Sequence, residues 1–134
     1  MKKTHILRLV KGKQFNSSIL NYCQKNGIEA AWFSALGAAK EVRLAFYDLD
    51  KKSFIRKKIL KPLEISSLSG NIAILDGKLV SHCHLVLSDK EMKTYGGHLD
   101  ELLVAATCEV ILQPLDLKLS RKHSDEIGLN LLEI

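Results

Sequence analysis

Leu63-Glu64-Ile65-Ser66-Ser67-Leu68-Ser69-Gly70-Asn71-Ile72-Ala73-Ile74-Leu75-Asp76-Gly77-Lys78-Leu79-Val80-Ser81-His82-Cys83-His84-Leu85-Val86-Leu87 carries most of the information about architecture. Short apolar runs are separated here by turn signals, the pattern of strands rather than helices. Residues 63–68, 71–75 and 79–87 read as three strands. Gly70 punctuates the first pair, and Asp76-Gly77 is a hairpin signal between the second pair. The same grammar extends in both directions. Residues 5–10 alternate imperfectly as a first strand. Residues 29–37 are small and apolar and finish at Gly37. Glu41 to Tyr47 alternates Val42, Leu44 and Phe46 with Arg43, Ala45 and Tyr47, and residues 48–52 form a polar turn that returns as a strand over 53–59. Residues 105–112 form another apolar strand, and the tail alternates weakly. One or two helices are expected; in the clear one Asn16 or Ser17 is the cap, Ile19, Leu20 and Cys23 share a face, and Gly27 follows its end near Asn26. The fold class is a strand-rich α+β domain.

Composition agrees with one domain over residues 1–134. Of 134 residues, 46% are hydrophobic and 26% charged, the mix of a folded chain long enough to bury a core without disulfides. No apolar run approaches the length of a membrane span. Met1-Lys2-Lys3-Thr4-His5 leads into a strand without a long apolar segment, so a cytoplasmic location is expected. Cys23, Cys83 and Cys108 form no Cys-x-x-Cys pair, which points to buried thiols in a reducing compartment rather than a redox or zinc-ribbon motif.

Charge is uneven. Net charge is +5, yet residues 1–61 hold 14 Lys/Arg against 4 Asp/Glu and residues 62–134 hold 6 against 11. Lys51, Lys52, Arg56, Lys57, Lys58 and Lys61 crowd residues 51–61 with no acid among them. Such a cluster attracts phosphate backbones, but it equally suits a solvated hairpin whose lysines discourage edge pairing.

The sharpest chemistry lies in Ser81-His82-Cys83-His84 and Tyr95-Gly96-Gly97-His98. Side chains alternate along a strand, so His82 and His84 share a face and Cys83 points away. Two imidazoles so placed can hold one metal ion. His98 is the other histidine close in sequence, and the two glycines before it are read as a tight turn that brings it in. Three neutral imidazoles with an open fourth position suit zinc or another divalent transition metal. The alternative is a set of polar residues lining a solvated groove. Glu64, Asp100 and Glu101 are candidate carboxylates for the far N–H of such histidines, while His5 and His123 read as surface residues. There is no Gly-x-Ser-x-Gly elbow, no phosphate loop and no Gly-x-Gly-x-x-Gly turn, and Ser66, Ser67 and Ser69 have no paired base. No catalytic residue is named from the sequence, and whether the chain is an enzyme stays open.

Gly37-Ala38 leading into Val42–Asp48, the Leu63–Ile72 segment, His82-Cys83-His84-Leu85-Val86-Leu87-Ser88-Asp89 and Gly96-Gly97-His98-Leu99 together resemble the plant and prokaryote conserved (PPC) domain. The resemblance runs in order from the first strand to about Ile111. It implies a compact domain with a curved, mostly antiparallel sheet flanked by one or more helices, assembled as a homotrimer. It implies that prokaryotic members carry a metal site here, on His82, His84 and His98. The family's usual label is DNA-binding. In plant members that contact comes largely from a separate Arg-Gly-Arg-Pro hook that this sequence lacks, while the domain itself serves assembly and protein partners. Three readings follow: a trimeric DNA-associated or regulatory module whose DNA contact, through 51–61, is weak and non-specific; a metal-dependent enzyme or small-ligand binder; and a scaffold whose metal ties down a loop.

Overall fold

In the computed structural model, residues 3–134 are described. Met1 and Lys2, the start of the segment read above for a leader, lie outside them. The elements in order are β1 (His5–Val10), α1 (Phe15–Lys25), β2 (Ala31–Asp48), β3 (Ser53–Ile59), β4 (Leu63–Leu75), β5 (Lys78–Ser88), β6 (Thr94–Pro114), β7 (Ser120–Ser124) and β8 (Leu129–Glu133).

Three of these strands are longer than their sequence suggests, and glycine is the reason. Residues 29–37 and 41–47 are one 18-residue strand, β2, because register shifts at Gly37/Ala39 and Ala39/Glu41 bend it instead of ending it. Segments 63–68 and 71–75 merge likewise into β4. Gly70 marks a close approach rather than a break: a Cβ there would lie 2.7 Å from Cζ of Phe33 on β2 and 2.5 Å from Cβ of Cys83 on β5. The strand expected at 105–112 is the second half of the 21-residue β6.

Antiparallel pairing runs from β2 to β6, β6 to β5, β5 to β4 and β4 back to β2, so four long strands close a ring. Closure pairs these four strands on both sides and leaves the free edges to β1, β3 and β8. β1 adds to β6 and β3 to β2. The hairpin of β7 and β8 hangs from β4 through a parallel bridge, Ile74 to Ser120. Among the described residues a single helix packs on β5 and β6. Its N-cap is Gln14, whose side-chain oxygen accepts from the Ser17 N–H at 2.6 Å; Asn16 and Ser17 lie inside the helix. Gly27 follows the end as expected, at φ +63°.

Phe15, Ile19 and Cys23 from α1 are fully buried and join Phe33, Leu102 and Leu112 in the main core. Each large apolar side chain buried this way contributes about 1.5–3 kcal/mol relative to exposure. All three cysteines are buried and unpaired. Burial pushes the Cys83 thiol up to about 12, which leaves it without thiolate chemistry near neutrality. On the outer face Ile6, Trp32, Leu36 and Ile111 are 50% or more exposed. Ile6 is the direct cross-strand partner of Ile111, which is paired on its other side with Ser34 between Trp32 and Leu36. Among the described residues, no helix is long and apolar enough to cross a membrane.

Candidate metal centre

Strand periodicity places His82 and His84 on the same face of β5, and Cys83 on the other, where its sulfur lies 3.8 Å from Asn16 Nδ2 on α1. His98 arrives by strand pairing, not by a turn. Gly96 and Gly97 lie within β6, opposite Val86 and Leu85, and His98 is the direct antiparallel partner of His84. The glycines serve close packing: a Cβ on Gly96 would meet the Leu85 carbonyl oxygen at 2.9 Å, and one on Gly97 the Ala45 carbonyl oxygen at 2.9 Å. Gly97 also sits at φ +154°, a conformation side chains avoid. The three rings converge, with centroids 5.0 Å (His82–His84), 5.2 Å (His82–His98) and 5.6 Å (His84–His98) apart. One nitrogen from each lies within 4.8 Å of the other two.

Their protonation suits a cation. Burial, with Arg121, His98 and His84 adding, holds His82 down at about 4, and burial also lowers His98. Both are neutral near pH 7 and keep a lone pair to donate, as divalent transition metals require. Of the three carboxylates singled out in the sequence, Asp100 is the one at the site. Its Oδ1 lies 3.4 Å from His98 Nε2 and its Oδ2 accepts from Arg56 Nε at 2.8 Å. Glu101 faces Arg43 at 3.7 Å, and Glu64 sits at the far end of β4, opposite Ser88. His5 is half-buried rather than on the surface, with Nδ1 2.7 Å from the Tyr22 hydroxyl, whereas His123 is exposed as expected.

The histidines line a groove of about 650 Å³ together with Phe46, Tyr47 and Phe54 of the β2–β3 hairpin and Leu129 and Leu131 of β8. The Phe54 ring packs 5.2 Å from His98 and 5.0 Å from Tyr47. The β2–β3 and β7–β8 hairpins are tied together where the Tyr47 hydroxyl donates to the Ile127 carbonyl at 2.6 Å and Lys52 Nζ to the Asp125 carbonyl at 3.0 Å. Arg121 reaches in from β7. Its Nη1 donates to the Asn130 carbonyl at 2.9 Å and its Nη2 to Asn71 Oδ1 at 2.9 Å, and Nη2 lies 3.4 Å from His82 Nδ1. Sequence reasoning missed Arg121, Tyr47 and Phe54. An arginine in a weakly patterned tail carries no local signal of the groove it enters.

Half of the basic segment is tied to carboxylates. Arg56 pairs with Asp100, Lys58 with Glu41 at 2.9 Å and Lys61 with Asp89 at 3.0 Å. The ammonium groups of Lys51 and Lys57 have no ion-pair partner among the described residues.

The sequence pattern of the Plants and Prokaryotes Conserved (PCC) domain matches residues 1–116. The chain belongs to that family, the one its motifs resemble. It is similar to the metal-containing protein AF0104 of Archaeoglobus fulgidus, at 36% identity and TM-score 0.93 over 99% of this chain and 94% of that one. A plant- and prokaryote-conserved (PPC) protein of Pyrococcus horikoshii is 30% identical at TM-score 0.93, over 99% of this chain and 92% of that one. A protein of Ralstonia eutropha JMP134 described as a candidate DNA-binding protein is 28% identical at TM-score 0.90, over 96% and 90%. The bifunctional protein GlmU of Synechococcus sp. (strain JA-3-3Ab) is 27% identical over 129 residues, 94% of this chain; the chain spans 20% of the length of that curated relative.

Proposed function

We propose that this chain is a cytoplasmic homotrimer in which each groove binds a divalent transition metal, zinc by preference, on His82, His84 and His98 and presents it to a small ligand. The convergence of three imidazole nitrogens within 4.8 Å, at the floor of an open groove, carries the reading. Neutral His82 and His98, and Asp100 beside His98, support it. So does the 36% identical relative described as metal-containing. When bound, the ion supplies Lewis-acid polarisation of an oxygen donor. The protein's own residues orient the imidazoles and wall the site with apolar and aromatic side chains. Trimerisation is assigned to the outer face bearing Ile6, Trp32, Leu36 and Ile111, whose exposure suits burial between copies. Titration of the metal-free protein with zinc is expected to saturate at one ion per chain; no binding overturns the reading.

A second reading, weak and sequence-independent association with DNA or a regulatory partner through 51–61, is favoured by the charge of that segment and by the relative described as a candidate DNA-binding protein. Lys51 and Lys57 carry it, because Arg56, Lys58 and Lys61 are engaged with carboxylates and Lys52 with the Asp125 carbonyl. Lysines on a hairpin neutralise phosphates but read no bases. Lys57→Gln should lower the slope of log affinity against log salt by about one, equally on unrelated duplexes. A sequence-selective footprint would contradict it.

A further inference from the structure

Arg121 and a metal ion make competing demands on the lone pair of His82. A neutral imidazole has one N–H and one lone pair. At 3.4 Å from Nη2, His82 Nδ1 accepts from the guanidinium only if that lone pair is on Nδ1. A cation bound at Nδ1 takes it. A cation bound at Nε2 leaves an N–H on Nδ1, facing another donor. Either way, metal on His82 strips Arg121 of this acceptor. The guanidinium is already short of partners: its Nε is buried without one, and among the described residues no carboxylate pairs with it. A cation without an anion, half-buried beside a second cation site, is a receptor for a negatively charged ligand.

Resting on the metal reading above, we infer that Arg121 is the carboxylate-recognising residue of this groove, and that the ligand is a small monocarboxylic acid with an apolar tail, seated on Arg121 beside the metal. The charge and the walls select this class. One guanidinium is available, since Arg56 is held by Asp100 and Lys52 is turned to the Asp125 carbonyl, which matches a single carboxylate better than a dianion. Leu75, Val80, Leu129 and Leu131 line the groove with Arg121 and suit a branched aliphatic tail. Because metal frees the guanidinium and the acid occupies it, the two ligands bind cooperatively, and the coupling is reciprocal.

Calorimetric titration with zinc, alone and with isovalerate, tests this. Isovalerate should tighten zinc binding by about fivefold or more, whereas neutral isovaleramide and inorganic sulfate should not. Arg121→Gln should still bind one zinc per chain, at least as tightly as wild type in the absence of acid because a competitor for His82 is gone, and should lose the isovalerate effect. A merely structural role for Arg121 predicts the reverse, weaker zinc binding in Arg121→Gln. Should that variant fail to fold, the Arg121 Nε–H resonance of the zinc-loaded wild type gives the same answer: it should shift with isovalerate and not with isovaleramide. Zinc binding that isovalerate leaves unchanged, or an equal effect of the amide or a larger one of sulfate, overturns the assignment and leaves the metal site intact. Absence of zinc binding by wild type overturns both.

Discussion

Cys83 and His84 adjoin in sequence and face opposite worlds. Cys83 is 2% exposed against α1, while His84 opens onto the groove. His84→Ala should therefore abolish stoichiometric zinc binding, and Cys83→Ser should leave it nearly intact at some cost in stability, both read by competition with a chromogenic chelator. Loss of zinc in the cysteine variant alone would reverse the faces. This much was legible in the sequence, because the strand period of two fixes which neighbours share a side. His98 was legible as a member of the triad but not in its manner of arrival. A Gly-Gly pair signals a turn and a close strand approach with the same letters, and the Leu85 and Ala45 carbonyls beside Gly96 and Gly97 show that approach is what they serve. Arg121 was not legible at all. Its place depends on the Ile74–Ser120 bridge and on Leu119 and Leu132 packing with Ala30 and Ala73, which no local pattern encodes.

At the scale of elements, the β5–β6 turn is held by one carboxylate. Asp89 Oδ2 accepts from Lys61 at 3.0 Å and from the Tyr95 hydroxyl at 3.2 Å, and Oδ1 from the Glu91 and Lys93 N–H groups. Lys61 first, then these backbone donors, draw the Asp89 carboxyl down to about 2 from 3.8. A carboxyl lowered on folding stabilises the native state above its unfolded value, and that contribution is lost as pH falls from about 4 to about 2. Asp89→Asn should flatten this acid limb in thermal melts; an unchanged limb would show that the pairing contributes nothing. Gly70 makes the second case. With Phe33 and Cys83 at 2.7 and 2.5 Å from its missing Cβ, Gly70→Ala should destabilise by about 1–3 kcal/mol, measured by urea unfolding. A neutral outcome would mean the ring of strands has slack that its geometry does not suggest. Reading Gly37 and Gly70 as strand ends divided β2 and β4 in two, since sequence cannot separate a bend from a stop. The Asp76-Gly77 hairpin was read correctly because its signal is local: Leu75 pairs with Lys78 across it.

For the whole molecule, closure of β2, β6, β5 and β4 gathers most of the buried side chains into one main core, with Ala30, Ala73 and Leu119 in a smaller cluster. The strand-rich class could be read from alternation and the antiparallel sheet was implied by the family resemblance, whereas the ring could not be read, because β2 to β4 pairing joins residues 24 to 41 apart. The outer apolar face was equally hidden: Ile6, Trp32 and Ile111 belong to three strands that only the fold makes neighbours. Trp32, 50% exposed in the single chain, contributes little to the core, so Trp32→Asp should split the proposed trimer into folded monomers with a native far-ultraviolet spectrum. A trimer that survives this change by light scattering would move the interface elsewhere.

Native mass spectrometry of untagged protein reads assembly and metal content together. The account predicts one species near three times 15.0 kDa, about 45 kDa, carrying three divalent metal ions, and the same trimer without metal for His84→Ala. A wild-type protein that carries no metal even after incubation with zinc, or a His84→Ala variant that retains three ions, would contradict it.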